Sequence, residues 1–181
     1  MPERNSVVGL YNTHDAAEEA VKQLQRAGID MSTLSIVGKD THTDEHVVGY
    51  YNSGDRMKYW GKNGAYWGGF WGLLFGSAMF VIPGIGPVLM AGPIVASILA
   101  ALEGAVVFGG LSALGAGLYG IGIPNDSIIQ YELAIKTDMF LLMVQGTAIE
   151  VDKAKSILET TSHLNVTKHS TDQLTQLAKA S

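Results

Sequence analysis

Between Asn63 and Ile123 the chain carries a single charged side chain, Glu103. Residues 1–62 hold seven Lys/Arg and nine Asp/Glu, and residues 124–181 hold five and seven. This segregation constrains the fold more than any other feature. Charged residues are only 16% of the 181, against roughly 25% in ordinary soluble domains, yet the mean hydropathy is only +0.18. Two polar pieces therefore flank one apolar piece. We divide the chain into residues 1–62, 63–123 and 124–181.

The flanks read as a repeated strand–helix–strand unit. Ser6 to Tyr11 is a short β-rich run, followed by Asn12 or Thr13 as a helix cap and by Asp15, Glu18 and Glu19 early in the helix, as the helix dipole prefers. Ala17, Ala20, Val21 and Leu24 form its apolar stripe, Gly28 stands where a left-handed residue ends a helix, and Leu34 to Val37 returns as a strand. Residues 139–169 repeat the plan. MFLLMVQ (Met139–Gln145) is a strand-length apolar run, and Thr147 with Glu150 makes a capping box. Val151, Ala154, Ile157 and Leu158 share a helix face, and Asn165–His169 is the last strand. Two such halves predict an α+β, ferredoxin-like sandwich: one antiparallel sheet with both helices on one face.

The apolar middle predicts a long helical hairpin inserted between the halves. Gly64 to Ile82 is 19 uncharged residues, about 28 Å as a helix, enough to match a hydrocarbon core. Pro83-Gly84-Ile85-Gly86-Pro87 is the turn, and Pro124-Asn125-Asp126 begins a further amphipathic helix reaching about Lys136. Small residues step by four along the run: Gly64, Gly68, Gly72 and Gly76; Gly92, Ala96, Ala100 and Gly104; and Ala101, Ala105, Gly109, Ala113 and Gly117. Such glycine-zipper stripes let helix backbones approach closely. Arg56, Lys58, Tyr59, Trp60, Lys62, Tyr66 and Trp67 precede or open the run, as a basic and aromatic membrane-interface belt would. The other reading of these rings is that they pack on the sandwich.

The loop GYYNSGDRMKYWG (Gly49–Gly61), the runs GGFWGLLFG and PGIGPVLMAGP, and the opening VVGLYNTHDAAEEAVKQLQRAGID resemble the bacterial general stress, or heat-induced stress, protein family. Its members are often labelled small membrane proteins or permeases. The resemblance spans nearly the whole chain and implies a stress-linked role and membrane association. It brings no catalytic residues with it.

Little else points to chemistry. The chain has no cysteine, so disulfide and thiol chemistry are excluded, and a net charge of −5 disfavours nucleic acid. The N-terminus lacks the pattern of a cleaved secretory signal. Asp40, His42, Asp44, Glu45 and His46 read as a solvated acidic loop, with His42 and His46 as weak metal candidates. His14, His163 and His169 read as surface or cap residues. Gly115 to Gly120 matches G-x-G-x-x-G by chance within a glycine-rich run, and no cofactor is expected. Glu103 is either an intramembrane carboxylate or the mark of a helix end.

The sequence thus predicts a non-enzymatic stress-associated scaffold, a homo-oligomer assembled through glycine-zipper helices. It predicts an inner-membrane protein whose soluble domain lies in the cytoplasm, with a cytoplasmic assembly as the alternative. A pore or transporter subunit and a soluble particle with buried hairpins are the competing readings. No nucleic acid or small-molecule partner is expected.

Overall fold

A computed structural model of the chain describes residues 5–39, 79–103 and 112–170. The first repeat consists of β1 (Asn5–Tyr11), α1 (His14–Arg26), a 3-10 turn (Met31–Thr33) and β2 (Leu34–Lys39). Thr13 caps α1 by accepting a hydrogen bond from the Ala16 amide. Gly28 takes φ +79 just past the helix end, where a β-carbon would be disfavoured. The second repeat comprises β5 (Phe140–Gly146), α5 (Ala148–Leu158) and β6 (Asn165–His169). Thr147 and Glu150 close the expected capping box at the start of α5.

The two repeats share one sheet, as their patterns require. β5 pairs antiparallel with β2 on one side and with β1 on the other, and β1 pairs antiparallel with β6. Alternate side chains then point to opposite faces. Val7, Tyr11, Ile36, Leu142 and Val144 face α1 and α5, which bury Ala17, Val21, Leu24, Val151 and Leu158 against them. Both repeat helices therefore cover the same face.

The middle of the chain corrects the expectation. Met79–Ile82 is a strand, β3, and Gly86–Ala91 is another, β4. The Pro83–Pro87 turn thus joins two antiparallel strands rather than two helices, with Gly84 and Gly86 both at positive φ. β4 pairs antiparallel with β2, so among the described residues the hairpin extends the sheet to six strands in the order β3-β4-β2-β5-β1-β6. The physical reason lies in length. A short apolar run bounded by Pro and Gly fits strand and helix equally by periodicity, and Phe80-Val81-Ile82 is aromatic and β-branched, which suits a pleated surface.

Among the described residues, the hairpin is followed by helices α2 (Ile94–Glu103), α3 (Ala113–Gly120) and α4 (Asn125–Lys136). The last of them begins after Pro124, as the sequence predicts. No helix among the described residues is long and apolar enough to cross a membrane. These helices instead cover the second face of the sheet. Val8, Leu10, Val37, Leu141 and Met143 meet Ile94, Ile98, Leu118, Ile128 and Ile135 in a second core. That cover explains why β1 and most of β5 are apolar on both sides. An antiparallel sheet with one wet face alternates apolar and polar residues instead.

The junction of β2, β4 and α2 is tight. Ser35, fully buried in β2, accepts a hydrogen bond from the Ile94 amide at 3.1 Å and so caps α2 from a distant strand. Gly92, at φ +91 in the turn between β4 and α2, passes so close to β2 that a β-carbon there would collide with the Leu34 carbonyl oxygen. At the other end of β2, Lys39 pairs with Asp138 at 3.0 Å and ties the strand to the turn entering β5.

Candidate interaction face

The described part of the apolar middle has an inner and an outer side. Among the described residues, its closest helix-to-helix contact is made by Gly117 of α3. A β-carbon on Gly117 would stand 3.0 Å from the Ile98 Cα and 3.1 Å from its nitrogen, so the backbones of α2 and α3 touch there. Gly92 lies in a turn and packs on a strand, and Ala96 and Ala100 are exposed on α2. Gly64, Gly68, Gly72, Gly76, Gly104 and Gly109 fall outside the described residues. So do Arg56, Lys58, Tyr59, Trp60, Lys62, Tyr66 and Trp67 of the interface belt, and the metal candidates His42 and His46. Glu103 belongs to α2, at the edge of the described residues.

The outer side of the helix layer exposes large apolar groups. Ile129 and Leu133, one turn apart on α4, are 62% and 61% exposed; Tyr119 on α3 is 52% and Leu99 on α2 is 36%. They belong to helices whose inner residues, Ile98, Leu118, Ile128 and Ile135, are fully buried. Scattered exposed apolar residues are ordinary on any protein surface, and Val81, Ile149 and Leu164 are exposed elsewhere; Ile129, Leu133, Tyr119 and Leu99 share one helix layer. Ala96 and Ala100 add small side chains to it. The sequences of α2 and α3, IVASILAALE and ALGAGLYG, contain one charged residue, Glu103.

Two polar pairs support this layer from beneath. Ser112 caps α3 through the Gly115 amide and donates its hydroxyl hydrogen to Glu132 of α4, which also receives the Ser112 amide. Tyr131 of α4 and His169 of β6 are each 3% exposed, and the phenol oxygen lies 2.7 Å from the imidazole Nε2. Burial pushes the phenol up to about 12 and lowers the imidazole. His169 is therefore a core residue, correcting its reading as a surface histidine. The strand period was the missed signal: position 169 lies opposite Ser6, two along from Val8, on the face that meets α4.

Other candidate chemistry stays local. His14, Asp15 and Glu18 bring ligand atoms together at the start of α1, but Lys22 sits 2.7 Å from Glu18 and supplies the positive charge there. Residues 115–120, the G-x-G-x-x-G match, lie within α3 rather than at a strand-to-helix turn, which removes the geometry that cradles a pyrophosphate.

The described residues thus define a mixed α+β protein with one antiparallel sheet, helices on both of its faces and several apolar side chains exposed on one helix layer. Residues 6–80 match the family model of the heat induced stress protein YflT domain. No curated protein and no solved structure matches the chain.

Proposed function

We propose that this protein is a non-enzymatic, stress-associated scaffold that self-associates through the outer face of α2, α3 and α4. The observation that carries the reading is the exposure of Ile129, Leu133, Tyr119 and Leu99 on one packed helix layer. The glycine-zipper idea enters in reduced form: one small-residue contact, Gly117 on Ile98, is spent inside the layer, which leaves Ala96 and Ala100 for a neighbouring copy. The matched stress domain supplies the cellular context.

Introducing charge on the outer face tests this. In Ile129→Glu/Leu133→Glu, native mass spectrometry and sedimentation should show a shift to lower-order species, with far-UV circular dichroism unchanged. Both positions are largely exposed, so folding is little affected. An unchanged assembly in the double variant contradicts the reading. Contact with the inner membrane, the sheet lying in the cytoplasm, is the second reading. Tyr119 favours it, since an exposed amphipathic ring beside apolar side chains suits the headgroup region. Under that reading the wild type floats with liposomes and the double variant does not.

A further inference from the structure

We infer that Tyr131 and His169 form an acid-sensitive latch, which holds the end of edge strand β6 against α4 while the imidazole is neutral and releases it when the imidazole takes up a proton. The pair joins two elements 38 positions apart. Among the described residues β6 is the last strand of the sheet, with β1 as its strand neighbour. Its residues Asn165 to Lys168 are exposed or half-buried, and only His169 is buried. The strand is thus anchored at its end by a buried polar contact, on an edge where opening costs least. The rings meet edge to face, 5.9 Å between centroids at 82°.

The surroundings of His169 determine what a proton does there. From α4 the facing group is the Tyr131 phenol, and from β1 it is the uncharged Ser6 opposite in register. The nearest charges on β6 and α5, Lys168 and Asp152, pair with each other, and Lys168 lies opposite Val7, on the other face of the sheet. Glu132 of α4 is engaged by Ser112. Asp126 and Lys136 of α4 are exposed. Among the described residues no carboxylate faces the imidazole. A neutral imidazole exchanges one hydrogen bond with the phenol in either tautomer. An imidazolium keeps that contact but places a charge in a largely buried site where, among the described residues, no carboxylate offsets it. Release to water is then favoured.

The direction follows from burial, which lowers the His169 proton affinity in the folded protein. Above the ordinary histidine value of about 6.5 the imidazole is neutral in both closed and open forms, and the latch holds fully. As pH falls below that value the open form gains the proton first. The opening constant then rises about tenfold per pH unit until the folded-state value is passed.

The test is amide hydrogen exchange of the full-length protein between pH 7.5 and 5, expressed as protection factors so that intrinsic exchange cancels, alongside NMR titration of the His169 ring. The latch predicts that His169 titrates below 6.5 and that β6 protection falls up to about tenfold per pH unit in the same window while central β5 stays protected. In His169→Gln the β6 protection is independent of pH. A His169 that titrates at or above 6.5 overturns the inference, as does the same pH dependence of β6 in His169→Gln. Should that variant fail to fold, the wild-type titration and its coincidence with β6 opening still decide.

Discussion

Gly92→Ala lowers the stability of the protein by about 2–5 kcal/mol, whereas Gly84→Ala lowers it by only about 1 kcal/mol. Both glycines stand at positive φ, +91 and +84, so the backbone penalty is shared. They differ in space. Nothing lies within 4 Å of a β-carbon at Gly84, which sits in the open turn of the β3–β4 hairpin. At Gly92 the same atom meets the Leu34 carbonyl and comes within 2.7 Å of the Ser35 Cα, backbone atoms of a strand fixed on both sides. Relief requires β4 or α2 to move off β2, which breaks the cap from Ser35 to Ile94 as well. Urea unfolding followed by circular dichroism checks the comparison. Equal losses in the two variants show that Gly92 makes no close approach.

The second large effect separates the two small-residue faces of the helix layer. Gly117→Leu costs roughly 1–3 kcal/mol, because the new side chain must enter where the Ile98 backbone already stands. Ala96→Leu, on the exposed side of α2, changes stability by no more than about 0.5 kcal/mol. Thermal or urea unfolding of both variants distinguishes them. If Ala96→Leu is the more damaging, the inner and outer faces of α2 have been exchanged.

Local signals carried the outer frame of this fold. A cap at Thr13, a glycine at position 28 and the Thr147–Glu150 box each act within a few residues, and the stripes Ala17 to Leu24 and Val151 to Leu158 need only the helical period. Once two such repeats exist, antiparallel strands in one sheet follow from the need to bury those stripes. The middle was harder to read because lack of charge says that a segment is buried and not what buries it. Val81 is exposed at the edge of the sheet while Ile82 is fully buried, an alternation visible only after the hairpin is paired. The continuous apolar runs in β1 and β5 did contain a hint: both faces of the sheet needed a cover, and two repeat helices supply only one. The Tyr131–His169 pair was beyond sequence reasoning, since nothing in one segment announces a partner 38 positions away. Gly117 was visible as part of a four-residue stripe, but which stripe turns inward depends on how α2 and α3 cross.

The apolar middle joins the sheet and covers its second face. Backbone NMR of the full-length protein tests that most directly. The expected result is strand-like carbon shifts across residues 86–91 and cross-strand proton contacts at Ile36–Ala91, Val37–Met90 and Gly38–Leu89, the pairs in register between β2 and β4. Helical carbon shifts with i to i+3 contacts running unbroken through residues 79–91, and no contacts to β2, would contradict it.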